Sequence, residues 1–327
     1  AGNKSSTDFT MASLLAALSP DASRMAALIP TPSSSMRVQI LATSTAALQS
    51  TLLHHRKETS DALPEKIMFM SDSLVAVYCS DLIVFWDLNR GVVASTVTPK
   101  KEHIYRDAVT CNGKLYALVW SNENKKAQIH CFKPETGKVE QKIKAGKSEV
   151  LALAVHENTA VVRQEDSLRI LDVTNGQKIA KYTSIKTSSS QLVVFGNVVV
   201  TLESGEAILV HRTSGKLIEG IPLEHADDDL DACKQGKEDT FYLRIGSKVY
   251  IIGKDGSVSA IKSQISSAPS VDREVVLGRA KSVYALLQKR NHFQSCQATL
   301  DKEEIKLNWK EPESKEKATA KRKDAVA

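Results

Sequence analysis

Three features of the 327-residue sequence predict an all-β fold. The chain is cut into short runs rich in Val, Ile, Leu, Tyr and Ala, separated by turn-forming residues. A tight turn that closes in glycine recurs at a nearly constant interval. Once these runs are assigned, nothing of helical period and helical length is left over.

The recurring turns are Asp87-Leu88-Asn89-Arg90-Gly91, Lys133-Pro134-Glu135-Thr136-Gly137, Asp172-Val173-Thr174-Asn175-Gly176, His211-Arg212-Thr213-Ser214-Gly215 and Gly253-Lys254-Asp255-Gly256. Their closing glycines are 46, 39, 39 and 41 residues apart. That period fits a unit of roughly 40–45 residues built from four strands. Glycine closes such a turn because a hairpin matching the twist of its strands needs a residue at positive φ, where a Cβ would clash.

Around this ladder the elements fall into place in order. The first set of strands is predicted over 14–18, 24–29, 37–42 and 47–53. The Ala- and Leu-rich segment 11–18 has a helical composition, but Ser19-Pro20-Asp21-Ala22-Ser23 turns the chain straight into Arg24, which predicts a strand. The second set spans 67–70, 74–79, 82–88 and 92–97, and the third 108–111, 115–120, 127–132 and 138–143. The fourth spans 150–155, 159–163, 168–173 and 177–182, and the fifth 191–195, 198–202, 207–211 and 217–221. The sixth spans 230–233, 240–244, 248–252 and 257–261, and the seventh 274–277, 283–287, 293–300 and 305–309. Seven sets of four strands predict a seven-bladed β-propeller over 11–309. In its blade interiors both residue alternations are apolar, as with Leu82, Val84 and Trp86 against Ile83 and Phe85. A sheet buried on two faces requires that pattern.

The hydrophobic fraction of 42% supports a sizeable core, and the formal net charge of +6 leans toward acidic partners. The five cysteines, Cys79, Cys111, Cys131, Cys233 and Cys296, form no CxxC unit. Buried free thiols in a reducing compartment are expected rather than a disulfide framework or zinc site. No apolar run reaches the roughly 18 residues of a membrane helix. Residues 1–10 are polar, have no signal-like apolar stretch, and are expected to be a tail outside the fold. Residues 310–327 are charged and expected to be disordered.

The turn from Ser19 to Ala26 resembles the Ser-Pro-Asp hairpin of WD-repeat proteins. Val84-Phe85-Trp86-Asp87-Leu88 carries the WD dipeptide, and Ile170-Leu171-Asp172-Val173 keeps its Asp after Leu. Cys131-Phe132-Lys133, Val210-His211-Arg212 and Ile251-Ile252-Gly253 lack the dipeptide, and the Gly-His pair of a typical repeat is missing. The chain thus resembles a degenerate WD40-like propeller. Within that family it looks most like the WD-repeat subunits of the tUTP (UtpA) subcomplex of the small-subunit processome. The N-terminal hairpin, the degenerate blades and the Lys/Arg-rich exit carry that likeness. Members of that group continue into a helical assembly domain, whereas this sequence passes into a charged tail. The resemblance implies a nucleolar protein of the nucleus, partnered by other subunits of a large complex and by pre-ribosomal RNA.

The candidate contacts to RNA or an acidic partner are Lys100, Lys101 and Arg106 in the connection between blades two and three, with His103 beside them. Lys125 and Lys126 lie in a hairpin of blade three. Such cations neutralise phosphates in a salt-dependent way, although they also serve solubility alone. No aromatic residue alternates with them to stack on bases. Lys321, Arg322 and Lys323 form a candidate nuclear-import signal. His225 with Asp227, Asp228, Asp229 and Asp231 does not fit a calcium loop and reads as a solvated acidic loop. His54-His55 reads as surface, and Trp86, Trp120 and Trp309 as core or blade edge. No GxSxG, Walker, HExxH or GxGxxG motif appears. The expectation is a non-catalytic scaffold with no cofactor, metal, membrane or small-molecule partner. A cytoplasmic recognition propeller, such as a ubiquitin-ligase adaptor or vesicle-coat subunit, is the alternative, and a propeller enzyme with a funnel site the third.

Overall fold

The computed structural model describes residues 15–21, 23–29, 35–43, 47–55, 62–186, 189–223, 225, 230–235, 240–245, 248–253, 256–263, 273–279, 282–289, 292–301 and 304–309. Every element among them is a strand. The chain forms two compact units, 1–230 with 254–256, and 231–253 with 257–327.

The first unit is a series of four-stranded antiparallel meanders. Sheet one holds β1 (Ala16–Leu18), β2 (Arg24–Ile29), β3 (Ser35–Ala42) and β4 (Leu48–His55). Sheet two holds β5 (Pro64–Ser71), β6 (Leu74–Cys79), β7 (Leu82–Asp87) and β8 (Val92–Val97). Sheet three holds β9 (His103–Cys111), β10 (Lys114–Ser121), β11 (Lys126–Lys133) and β12 (Lys138–Gly146). Sheet four holds β13 (Val150–His156), β14 (Thr159–Gln164), β15 (Leu168–Asp172) and β16 (Lys178–Tyr182). Sheet five holds β17 (Leu192–Phe195), β18 (Val198–Glu203), β19 (Glu206–His211) and β20 (Leu217–Pro222). Of the segment 11–18, Ala16–Leu18 form a strand, as expected, and 11–14 lie outside the described residues.

The apolar alternation sorts each sheet between two neighbours. Val75, Val77, Val84 and Trp86 pack with Ala26, Met36, Val38, Ile40 and Leu52 of sheet one. The intervening Ala76, Tyr78, Ile83 and Phe85 pack with Tyr105, Leu115, Ala117, Val119 and Phe132 of sheet three. The same division repeats at the next two interfaces. Leu118, Trp120, Ile129 and Ile143 meet Leu153, Ala160, Val162 and Leu171. Val161, Leu168 and Ile170 meet Val199, Ile208 and Val210. A pleated strand sends successive side chains to opposite faces, so two apolar alternations mean two covered faces.

The glycine ladder is a packing device as well as a turn device. Gly91, Gly137, Gly176, Gly215 and Gly256 all have positive φ, between 64° and 90°. Gly137, Gly176 and Gly215 each sit against the outer strand of the preceding sheet. A methyl group at 137 would come within 3.0 Å of Val97 on β8, and one at 215 within 2.9 Å of the Lys181 carbonyl on β16. Nothing lies within 4 Å of such a group at Gly91.

A second repeat is absent from the sequence pattern. Each outer strand of the first unit carries an extra residue at the same register, and β12 carries a second, Ala145, opposite Ala127/Gln128. The shift falls opposite Ile40/Leu41, Phe85/Trp86, Cys131/Phe132, Ile170/Leu171 and Leu209/Val210. The inserted residues are Gln49, Ala94, Glu140, Ile179 and Ile218.

Strands β21 (Leu230–Gln235), β22 (Thr240–Ile245), β23 (Lys248–Gly253) and β24 (Val258–Ser263) form one meander. Strands β25 (Arg273–Arg279), β26 (Ser282–Lys289), β27 (His292–Asp301) and β28 (Glu304–Trp309) form another. The two join into one eight-stranded sheet through the parallel pairs Lys262↔Glu304 and Ser263↔Ile305. The seven sets of four predicted strands are all found. They are arranged as five separate four-stranded sheets and one eight-stranded sheet, because the last two meanders pair through outer strands whose free edges can hydrogen-bond. The predicted tails 1–10 and 310–327 lie outside the described residues.

Gly91 and Gly215 share a turn and a φ, and differ in what surrounds them. Gly91→Ala is expected to cost about 1 kcal/mol, the strain of a Cβ at positive φ. Gly215→Ala is expected to cost roughly 2 kcal/mol more, since backbone oxygen must move. Urea denaturation of the two variants measures the difference, and equal losses would remove the packing role.

Candidate functional site: a basic edge on the third sheet

In each meander the entry to the first strand and the turn between the second and third strands lie at one edge. Four of the five predicted contact residues fall at that edge of sheet three. Lys100 and Lys101 are exposed in the connection entering β9, Lys125 is exposed in the turn before β11, and Lys126 is its exposed first residue. The backbone N–H of Asn122 donates to the Glu102 carbonyl at 2.9 Å and ties the connection to the turn. His103, Ser121 and Lys126 stand side by side across three strands.

Arg106 is a correction. It lies on β9 and not in the loop, because that strand begins at His103. It is the extra residue where pairing jumps from Leu118↔Asp107 to Val119↔Tyr105. Its guanidinium donates to Glu149 Oε1 at 2.9 Å, so its charge already has a partner.

The sequence reading missed Lys142, Lys144 and Lys147. Lys142 and Lys144 are exposed on β12 while Ile143 and Ala145 are buried, and exposed Lys147 follows the strand. The signal was present as an alternation of lysine with small or apolar residues over 142–145. Among the described residues none of Lys100, Lys101, Lys125, Lys126, Lys142, Lys144 or Lys147 joins the ion pairs, which are Lys66–Asp107, Arg106–Glu149, Lys114–Glu140, His156–Glu157, Arg163–Glu203 and Arg212–Glu157. Glu102 and Glu123 are the exposed carboxylates on this edge.

The field of this edge is felt inside the sheet. His130 on β11 lies behind it, with one ring nitrogen 3.0 Å from Gln128 Oε1 and the ring edge-on to Phe132. Burial first, then Lys142, His103 and Lys100, push its pKa down to about 4. The imidazole is therefore neutral near pH 7.

Below the edge a buried carboxylate joins three sheets. Asp107 Oδ2 accepts the Leu153 N–H of β13 at 2.7 Å, and its Oδ1 accepts the Ala108 N–H at 2.7 Å and pairs with Lys66 of β5. Burial and then Asp107 push the neighbouring Glu65 upward, while Lys66 and Arg106 pull it back. The first strands of adjacent sheets belong to separate ladders, so Asp107 supplies an acceptor where the ladder does not continue. Between sheets four and five the fully buried Arg163 lies 3.9 Å from Glu203 Oε2 and donates to the Gln164 carbonyl at 3.1 Å.

Other singled-out residues take quieter places. Trp86 and Trp120 are core, and His54 packs edge-on to Trp86 with centroids 6.3 Å apart. Cys79, Cys111 and Cys131 are free thiols, the first and last buried. Among the described residues no group of three His, Cys, Asp or Glu stands together as a metal site, and no helix is long and apolar enough to cross a membrane. Lys321, Arg322, Lys323 and the acidic stretch 227–229 lie outside the described residues, as do the side chains of Cys233, Cys296 and Trp309.

Comparison with known proteins gives the following. A family model described as outer membrane protein assembly factor BamB matches residues 83–283. No curated protein matches in sequence. The structure of Kluyveromyces lactis Hsv2p is similar at a TM-score of 0.59 and 10% identity, over 90% of this chain and 97% of that one. A chain of the mitotic checkpoint complex is similar at 0.60 and 12%, over 83% and 86%. BamB from Moraxella catarrhalis is similar at 0.52 and 14%, over 86% and 83%. At these identities the likeness is one of fold, and the fold is a β-propeller.

Asp107→Ala removes the acceptor of a buried N–H and is expected to cost about 2–4 kcal/mol. Lys66→Ala is expected to cost about 1 kcal/mol or less, because the Lys66 side chain is 43% exposed. Chemical denaturation distinguishes them, and equal losses would mean the ion pair dominates.

His130 is protonated more readily in the unfolded chain, with an ordinary pKa near 6.5, than in the fold, where it is about 4. Its contribution to stability is therefore present above about pH 6.5 and lost as pH falls toward 4. His130→Gln is expected to flatten the stability profile in that window, and a parallel profile would refute the assignment.

Proposed function

Because the chain belongs to the family described as outer membrane protein assembly factor BamB, we propose that it is a propeller scaffold that performs no catalysis. Its seven four-strand meanders serve as seven blades, and it holds other protein subunits of a large complex. The reading favoured here is a subunit of a nucleolar ribonucleoprotein assembly, acting in pre-ribosomal RNA transcription and processing for small-subunit biogenesis. The WD dipeptide at Trp86-Asp87 and the opening Ser-Pro-Asp hairpin support that reading from the sequence. The observation that carries it is the edge of sheet three, where Lys100, Lys101, Lys125 and Lys126 stand exposed and without carboxylate partners among the described residues. Unneutralised lysines on one rim raise the local concentration of polyanions. Lys321, Arg322 and Lys323 supply the import signal in this reading.

The family match favours a second reading, a propeller that takes part in outer-membrane protein assembly. Both are scaffolding roles, and they differ in compartment and partners.

Affinity purification of the tagged chain from its own cells, read by mass spectrometry and RNA sequencing, separates them. The expected outcome is recovery of pre-ribosomal RNA with processome proteins, and nuclear exclusion when Lys321, Arg322 and Lys323 are replaced by alanine. Recovery of outer-membrane assembly proteins, a ubiquitin ligase or a vesicle coat without RNA would overturn the nucleolar reading.

A further inference from the structure

We propose that the basic edge of the third sheet, with Arg169 of the fourth sheet at its corner, docks the sugar–phosphate backbone of base-paired RNA. This rests on the reading of that edge as a polyanion-binding face and specifies what it takes.

The cations form a line and not a pocket. His103 and Lys126 share one register row across the sheet, and Lys147 follows Gly146, which pairs with Ala127 next to Lys126. Lys100, Lys101 and Lys125 lie just beyond the row. With strands about 4.8 Å apart, four strands spread these charges over roughly 14 Å. A line of that length suits successive phosphates better than one small anion.

Arg169 ends the line with a different kind of cation. Its guanidinium lies against the backbone of Gly146, where a methyl group would come within 3.3 Å of Nη1 and 2.8 Å of Gln164 Nε2. Glycine at 146, with φ of 136°, leaves that space open. The Arg169 Nε is buried without a hydrogen-bond partner, and Arg169 joins none of the ion pairs among the described residues. With its Nε occluded, the half-buried guanidinium has only the end-on pair of terminal nitrogens to offer a bidentate phosphate.

The face lacks what other partners need. No Phe, Tyr or Trp occurs among residues 100–103, 121–126 or 144–147 that make up this edge, so unstacked bases have no platform there. The large apolar side chains exposed among the described residues, Leu48, Leu53, Leu63, Val92, Val139, Ile179 and Leu217, are absent from the row, so an acidic peptide finds no apolar anchor there. Helical RNA is held through phosphates, sugar hydroxyls and shape, and requires neither. Opposing charge comes from Glu102 and Glu123 on the edge and from Glu165 and Asp166 in the next turn, while Glu149 is held by Arg106. These carboxylates limit the number of phosphates neutralised and hence the salt slope.

The test uses the full chain in fluorescence anisotropy with three probes: an RNA duplex of about 20 base pairs, an unstructured single strand of equal length, and poly-glutamate. The duplex is expected to bind about ten-fold more tightly than the single strand, to tolerate shuffling of its sequence, and to weaken steeply from 50 to 200 mM salt. Paired substitution of Lys125 by asparagine, which tolerates its φ of 50°, and of Lys126 by alanine, both at exposed positions, is expected to weaken the duplex about five-fold or more. Arg169→Gln should do the same, with Arg169→Lys recovering part of the loss, and Lys133→Ala at the opposite edge should do nothing. Equal affinity for duplex and single strand would overturn the base-paired assignment and leave the polyanion face standing. Binding of poly-glutamate alone would overturn both this proposal and the ribonucleoprotein reading. Binding of none of the three would remove the polyanion face itself.

Discussion

Everything in the first unit depends on sheets that are apolar on both faces. A single four-stranded meander of this composition exposes two greasy surfaces to water, and each buried Val, Leu or Phe is worth about 1.5–3 kcal/mol only when something covers it. The covering is supplied by the next sheet and the one before. Val75 and Val77 look toward sheet one while Ala76 and Tyr78 look toward sheet three. No sheet in the series is a unit of stability in isolation, which is the energetic logic of repeat architectures.

Two kinds of polar device hold the stack in register. The glycine turns let one sheet come close to the outer strand of its predecessor, and the backbone contact at Gly215 leaves no room for a side chain. On the inner side, Asp107 gives a buried N–H of the next sheet an acceptor. Dispersion and hydrophobic burial are non-directional, so they do not fix how far one sheet slides over another. Directional groups at both margins do. The cost of burying Asp107 is offset because three donors converge on it.

Much of this was legible in the sequence. The glycine ladder marks positions where φ must be positive, and that constraint is local, so it survives as a readable period. Strand positions were legible because β-branched and aromatic runs alternate with turn formers. The start of β9 was not, because His103, Arg106 and Asp107 leave only Ile104-Tyr105 as an apolar signal, and the segment becomes a strand through tertiary pairing with β10. Arg106 was misplaced for the same reason. Lys142, Lys144 and Lys147 were passed over because motif reading looks for loops, whereas these lysines sit at the end of an outer strand. Arg169 and Gly146 are far apart in sequence and ordinary in type, so nothing short of the fold brings them together. The joining of the last two meanders through β24 and β28 depends on two free edges meeting, which no single-strand pattern encodes.

The outer-strand insertions are likewise invisible to pattern, since amide, methyl, carboxylate and branched aliphatic side chains all occur among Gln49, Ala94, Glu140, Ile179 and Ile218. They have a colloidal consequence. A straight outermost strand offers a full row of amides and carbonyls to any passing chain, which is how fibrils begin. One additional residue per strand twists that row out of line and interrupts its spacing. Repeated on five sheets, the irregularity lets the protein stand at high concentration beside other chains while refusing to be extended strand by strand.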